Sequence, residues 1–253
     1  MIDSSAFFKD ATAVAFSWHG VLFDRDRREI HAAMAQTCLQ WGVAVTDEDL
    51  IATRGPTGRA QIARLLSIAR ISEAFRAQHH RWATDSDIDI MALDHEPRLL
   101  AAAAATPMPN ADACDALRRL HAQGIRTAVI CCTPRRLLGP QLQALARADV
   151  PIDCLVTADE ACEPAPSPWG IFEAVRRLGI ASASELVLID DSPAGSIAAR
   201  NAGARAVTFI SKGFVPEAFI PEGQKADPNT RESVHALAEI CRANGPTAQP
   251  PSQ

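Results

Sequence analysis

The sequence contains no tyrosine and only three lysines, so arginine carries nearly all of its positive charge. The lysines are Lys9, Lys212 and Lys225, and positions 10–211 therefore hold no side-chain primary amine. Imine formation between a lysine and a carbonyl substrate is excluded for that stretch, because a guanidinium stays protonated and is not a usable amine nucleophile.

Cysteine spacing and the lack of long apolar runs exclude further classes of protein. The seven cysteines include no CxxC pair and no Cys/His grouping with zinc spacing, which favours small buried residues in a reducing compartment. The sequence has no run of about 18 apolar residues that could form a membrane span. Its N-terminus lacks the basic and then apolar layout of a signal peptide. The formal charge of −5 gives no reason to expect a nucleic-acid partner. We predict a cytoplasmic protein with neither a nucleic-acid nor a membrane partner.

The alternation of apolar patterns along the chain predicts the fold class. Apolar residues 13–16 read as a buried strand, and helical spacing then extends from residue 28 to 105 without a strand signal. After residue 106, short apolar strands alternate with helices, as in a parallel sheet covered on both faces. We predict a doubly wound α/β core formed by residues 1–24 and 106–253, with a helical cap inserted at 25–105. A helix at 231–243 and a disordered tail at 244–253 complete the prediction.

Four stretches of sequence carry a family resemblance. The first is the strand and turn AVAFSWHG, in which Trp18 follows a candidate nucleophile position. The others read WGVAVTDEDLIATRGPTG, LVTADEACEPAPSPWGIF and LIDDSPAGSIAARNAGA. Together they resemble the haloacid dehalogenase superfamily, in its phosphonoacetaldehyde hydrolase branch. The resemblance implies a Rossmann-like core, a mobile cap, Mg²⁺-assisted phosphoryl or phosphonyl chemistry, and pairing of two copies through their caps.

The resemblance also shows which catalytic side chains differ from the family's. Ser17 stands at the position of the nucleophilic aspartate, and His19 stands at that of the acid/base aspartate. The lysine or arginine of the third motif aligns with Ala165, and the cap lysine that forms a Schiff base is missing. The remaining positions with an implied role in substrate binding are Trp18, Gly20, Arg59, Cys131, Thr133, Arg135 and Glu163.

Two acidic residues remain as candidate metal ligands. Asp191 aligns with the family's metal-binding aspartate, and Asp190 with a supporting position; the alternative is that both only cap the following helix. Because Ser17 replaces one anionic ligand, we expect weakened Mg²⁺ binding.

Two functions follow from these changes. The first is a non-hydrolytic pseudoenzyme, or binding subunit, for a small anionic molecule or a protein partner. The alternative is a hydrolase with altered chemistry, in which Ser17 or His19 acts on a small phosphorylated or phosphonate-type substrate. Hydrolysis of phosphonoacetaldehyde is not expected in either case. A homodimer through the cap is also predicted, from the stripe Ile30, Met34, Cys38 and Trp41.

Overall fold

Short strands of valine, isoleucine, leucine and alanine form the central parallel sheet. The computed structural model describes residues 11–23, 26–209 and 231–232. Its strands are β1 (Ala13–Ser17), β2 (Arg126–Ile130), β3 (Cys154–Val156), β4 (Leu186–Asp190), β5 (Arg205–Phe209) and the two-residue β6 (Arg231–Glu232). They pair in the order β3-β2-β1-β4-β5-β6, and every pairing is parallel. The predicted α/β sheet is therefore confirmed.

Alternate residues of β1 face opposite layers of helices. Val14 and Phe16 belong to one apolar core, whereas Ala13 and Ala15 belong to the other. The first core includes residues of α6 (Ala111–Ala122) and α7 (Gly139–Arg147), and the second includes residues of α8 (Trp169–Leu178) and α9 (Pro193–Ala202). Burial on both faces explains why β1 is apolar up to its last residue, Ser17, and β4 up to its last residue, Asp190.

Five helices lie between β1 and α6. They are α1 (Asp26–Gln40), α2 (Asp47–Ala52), α3 (Arg59–Ser67), α4 (Ala69–His79) and α5 (Asp85–Ala105). No strand occurs among the described residues of this segment, which we call the helical insertion. Its apolar core is built from residues of all five helices, with Met34, Phe75 and Met91 fully buried. That the insertion is a cap domain with boundaries at 25 and 105 stays a prediction.

The stripe that motivated a cap-mediated dimer is used inside the chain. Met34 and Cys38 are buried in the core of the insertion, and Trp41 packs against that core. Ile30 joins a separate small cluster with Leu99 of α5. The stripe therefore gives no support to dimerisation, which remains an untested prediction.

Several predicted element boundaries are confirmed and others are corrected. The run Thr-Asp-Glu-Asp at 46–49 predicts a capped helix start, and Thr46 does cap α2 in a reciprocal capping box with Asp49. Apolar spacing over 59–70 predicts a single helix, but Ile68 adopts an extended backbone that separates α3 from α4. The helix predicted at 231–243 is wrong at its first two residues, which form β6. The rest of that helix, the lead-in at 1–10 and the tail at 244–253 lie outside the described residues.

Membrane insertion finds no support in the helices. Within residues 11–23, 26–209 and 231–232, no helix combines the length and the apolar character needed to cross a bilayer.

Candidate active site

The carboxyl ends of β1 and β4 bring the candidate residues to one edge of the sheet. Ser17 is the last residue of β1, and Asp190 is the last residue of β4. The two strands are neighbours in parallel register, with Phe16 opposite Ile189. Ser17 and Asp190 therefore follow paired residues and line the same cavity.

The Ser17 hydroxyl is not activated by the His19 ring. Ser17 Oγ donates a hydrogen bond to the His19 carbonyl oxygen at 3.2 Å, and none to an imidazole nitrogen in the described part of the chain. His19 Nε2 lies instead 2.8 Å from Thr133 Oγ1 and 3.7 Å from Cys131 Sγ. A nucleophilic serine needs a base within hydrogen-bond reach, and His19 does not supply one to Ser17 in this geometry.

Thr133 connects the core to the helical insertion. Its hydroxyl lies 3.0 Å from Thr57 Oγ1, and Thr57 Oγ1 also donates to the carbonyl oxygen of Cys132 at 2.5 Å. Thr133 is buried and does not line the cavity that contains Ser17. The hydroxyl predicted to bind substrate is thus held in contacts within the protein.

An arginine pair that the sequence analysis missed surrounds Asp191. Arg27, in the first turn of α1, donates from Nε to Asp191 Oδ2 at 2.8 Å and from Nη2 to Asp191 Oδ1. Arg54 Nη1 lies 3.8 Å from Asp191 Oδ2. Burial alone would raise the pKa of Asp191, but the charges of Arg27 and Arg54 outweigh it and hold that pKa below its ordinary value. The signal available in the sequence was the scarcity of lysine, which leaves arginines as the source of any buried cation.

Asp190 is held in a different way. Its Oδ1 accepts hydrogen bonds from the backbone N–H and from the hydroxyl of Ser192, both at 2.6 Å. A Cβ on Gly195 of α9 would lie 2.2 Å from the Asp190 Cγ, so the carboxylate packs directly on the helix backbone. Burial and the neighbouring Asp191 charge raise the pKa of Asp190. The N-cap of α9 is Ser192, whose hydroxyl accepts from the Gly195 N–H, so the contacts of Asp190 and Asp191 do not support the alternative that both only cap this helix.

A cavity of about 50 Å³ opens beside Ser17 and Asp190. Space of this size holds a few water-sized groups. Among the predicted site residues it is lined by Ser17, His19, Cys131, Glu163 and Asp190. Most of the other lining residues are apolar, including Ile130, Val156, Ala165, Ile171 and Leu188.

Three predicted substrate-binding residues lie elsewhere and are corrected. Trp18 is fully buried, stacks on Phe23 and donates its indole N–H to Gln141 at 2.8 Å, so it is a core residue. Arg59 is 51% exposed and pairs with acidic residues of α5. Arg135 is exposed on a short 3₁₀ turn after β2.

Gly20 has a packing role in place of a binding one. Its φ of +81° lies in the region that favours glycine, and a Cβ there would be 2.0 Å from Asp191 Oδ2. The turn after β1 therefore lies so close to the Asp191 carboxylate that a residue with a Cβ atom at position 20 would clash with it.

The side chains that the structure describes at this site do not fit a resident Mg²⁺ ion. Magnesium binds oxygen ligands at about 2.0–2.1 Å in octahedral geometry, yet both carboxylate oxygens of Asp191 already accept from Arg27. Throughout the described residues, no group of three or more His, Cys, Asp or Glu side chains is arranged to hold a metal. No catalytic step through a metal is derived for this site.

Comparison with known proteins gives four likenesses. Residues 7–203 match the family described as haloacid dehalogenase-like hydrolase. The chain is 27% identical over 190 residues to the phosphonoacetaldehyde hydrolase of Paraburkholderia xenovorans (strain LB400), covering 74% of this chain and 70% of that protein. The crystal structure of a phosphonoacetaldehyde hydrolase-like protein from Oleispira antarctica superposes with a TM-score of 0.74 at 16% identity, covering 92% of this chain and 84% of that one. A predicted phosphoglycolate phosphatase from Haemophilus somnus 129pt gives a TM-score of 0.68 at 15% identity, with coverage of 93% and 99%. At these identities the two structural likenesses bear on the fold alone.

Proposed function

Because the chain belongs to the haloacid dehalogenase-like hydrolase family, we propose that it keeps the family's cleft without the family's hydrolysis. In this proposal it is a pseudoenzyme, or binding subunit, whose ligand is a small anionic molecule or a protein partner. The relatives named phosphonoacetaldehyde hydrolase define the reaction that we expect it to have lost.

The observation that carries this proposal is how Ser17 and Asp191, at the edge of the sheet, are bonded within the protein. The carboxylate nucleophile is replaced by Ser17, whose hydroxyl donates to a backbone carbonyl. The carboxylate of Asp191 is neutralised by Arg27 within the protein. Ser17 is a weak nucleophile with no base bonded to it among the described residues, and Asp191 is paired with Arg27, so neither side chain is set up for the covalent step.

Arg54 supports an anionic ligand. Its side chain is 6% exposed, and its Nε has no hydrogen-bond partner among the residues that the structure describes. A buried donor left without a partner costs about 1–3 kcal/mol, and an anion that reached it would remove that cost. The neighbouring Gly55 lines the cavity beside Ser17, so Arg54 lies next to the space that a ligand would enter.

The test combines turnover and binding on the full chain. Phosphonoacetaldehyde and a panel of phosphate monoesters are assayed with the parent and with Ser17→Ala, using the Paraburkholderia xenovorans hydrolase as the positive control. We expect no turnover by the parent. Inorganic phosphate titrated calorimetrically into the parent should bind, and Arg54→Gln should weaken that binding at least about tenfold, a difference of about 1.4 kcal/mol.

The matched control is Arg59→Gln, because Arg59 belongs to the same insertion but is exposed and pairs away from the cavity. This variant should bind phosphate as the parent does. Equal losses in Arg54→Gln and Arg59→Gln would count against a specific anion site. Turnover by the parent that disappears in Ser17→Ala would overturn the non-hydrolytic proposal.

The alternative function is a hydrolase with altered chemistry on a small phosphorylated or phosphonate-type substrate. The observation in its favour is that Ser17 and His19 both line the cavity under a retained helical insertion. In related folds such an insertion closes over the substrate and excludes water. The same Ser17→Ala assay decides between the two functions.

A further inference from the structure

Among the residues that the structure describes, three acceptors at the edge of the sheet contact the Arg27 guanidinium. Its Nε and Nη2 form a two-pronged contact with both carboxylate oxygens of Asp191, and Nη2 also donates to the His19 carbonyl oxygen at 2.9 Å. Both side chains of the pair are 6% exposed. Bidentate pairing of this kind is geometrically specific, and it combines charge with two parallel hydrogen bonds.

The backbone after β1 is shaped to this pair. A Cβ at Gly20 would lie 2.0 Å from Asp191 Oδ2 and 2.8 Å from Arg27 Nε, so only glycine lets the turn pass. The carbonyl of His19, the residue before it, is one of the three acceptors. The backbone of the turn therefore fixes the position of the Arg27 side chain, which is buried and not free to adopt other rotamers as a surface arginine would.

A guanidinium in this place excludes a divalent cation on the same carboxylate. Both Asp191 oxygens are engaged, and a second positive charge, Arg54 Nη1, lies 3.8 Å from Oδ2. Arginine cannot release its charge by deprotonation, so a dication would meet two fixed positive groups. Asp190 is a poor replacement, because its Oδ1 accepts two hydrogen bonds from Ser192 and a single remaining carboxylate oxygen falls far short of an octahedral ligand set.

We propose that Arg27 is a resident cation in the position where enzymes of this family generally use Mg²⁺, and that the cleft of this protein works without a divalent metal. The positive charge that members of the family take up from solution is here covalently attached to α1. The proposal holds whether the cleft only binds a ligand or also acts on it.

The experiment titrates MgCl₂ into the metal-free parent, Arg27→Gln and Arg27→Lys, by calorimetry and by thermal unfolding. The parent should show a Kd for Mg²⁺ weaker than about 10 mM. Arg27→Gln removes the charge while keeping a polar side chain, and it should bind Mg²⁺ at least about tenfold more tightly than the parent. Arg27→Lys keeps the charge and should resemble the parent.

The matched control is Arg28→Gln, the exposed neighbour on the same helix, which should bind Mg²⁺ as weakly as the parent. A parent Kd below about 1 mM would overturn the proposal, as would a folded Arg27→Gln with no gain over the parent. If Arg27→Gln does not fold, the parent and Arg27→Lys titrations decide, because tight Mg²⁺ binding by either contradicts a resident cation. None of these measurements uses turnover, so they test the Arg27 proposal independently of whether the protein is a hydrolase.

Discussion

Among single residues, Gly20 lies so close to the Asp191 carboxylate that no residue with a Cβ atom would fit in its place. Its α-carbon lies beside the Asp191 carboxylate, and its φ of +81° places the backbone in the left-handed region. A non-glycine residue there meets two separate penalties. One is the left-handed backbone, and the other is displacement of the Arg27–Asp191 pair.

Replacing Gly20 by alanine should lower the free energy of unfolding by more than the backbone penalty alone. The left-handed conformation costs an alanine about 1–2 kcal/mol, and a disturbed buried ion pair adds to this. Gly124→Ala is the control, since Gly124 has a φ of +77° but an added Cβ would meet nothing within 4 Å. Urea denaturation of both variants measures the difference. Equal losses would show that the Asp191 carboxylate relaxes away without consequence.

Some residues of the candidate site can be predicted from the sequence, and others cannot because their partners are distant along the chain. Ser17, Asp190 and Asp191 are predictable, since each follows an apolar strand and parallel strands end at one edge of the sheet. Arg27 and Arg54 were missed because nothing local marks them. Only the packing of the helical insertion on the core brings them to Asp191, and one sequence alone carries no such contact information.

At the level of elements, α1 and α5 pack against each other, and each helix carries one buried histidine. His95 of α5 lies with its Nδ1 2.9 Å from Thr37 Oγ1 of α1. Burial, followed by the charge of Arg98, lowers the pKa of His95 to about 4. Burial, followed by the charges of Arg27 and Arg54, lowers the pKa of His31 to about 4.

These two histidines should make the protein less stable in acid. Between about pH 6.5 and pH 4 these imidazole rings are protonated in the unfolded chain but neutral in the folded protein. The free energy of unfolding therefore decreases as the pH falls through that range. Each group contributes at most about 1.4 kcal/mol per pH unit. Urea denaturation from pH 7 to pH 4.5 should show this slope, and His95→Gln should reduce it.

Thr37→Val is the control for the histidine variant. It removes the same hydrogen bond but leaves the titrating ring, so it should lower stability while keeping most of the slope. If His95→Gln and the parent show the same dependence on pH, the buried ring is not the group responsible.

Helices were predicted better than their interruptions. Apolar spacing over 111–123 and 167–178 predicts helices and correctly indicates α6 and α8, because each presents one apolar face to a core. The break at Ile68 was missed, because the side chain of Ser67 turns back to the Arg64 carbonyl and competes with the helix. Such local competition leaves no periodic signal in the sequence.

For the whole molecule, the helical insertion is joined to the α/β core by buried charge. Arg27 and Arg54 come from the insertion, and Asp191 comes from the core. The turn at Gly55 passes so close to Ala194, at the start of α9, that an added Cβ would lie 2.5 Å from its Cβ. A second ion pair, between Arg136 and Glu96, joins the two parts at exposed positions.

Neutralising Asp191 should therefore loosen the insertion as well as the site. Asp191→Asn leaves two buried guanidinium groups without their counter-charge, and removing one partner of a buried pair costs about 3–5 kcal/mol. Glu96→Gln breaks the exposed pair, which is worth about 0–1 kcal/mol, and serves as the control. Urea denaturation should separate the two variants, and hydrogen exchange should show faster amide exchange across α2 to α5 in Asp191→Asn alone. If Asp191→Asn matches Glu96→Gln in both measurements, contacts other than the Arg27–Asp191–Arg54 cluster hold the insertion on the core.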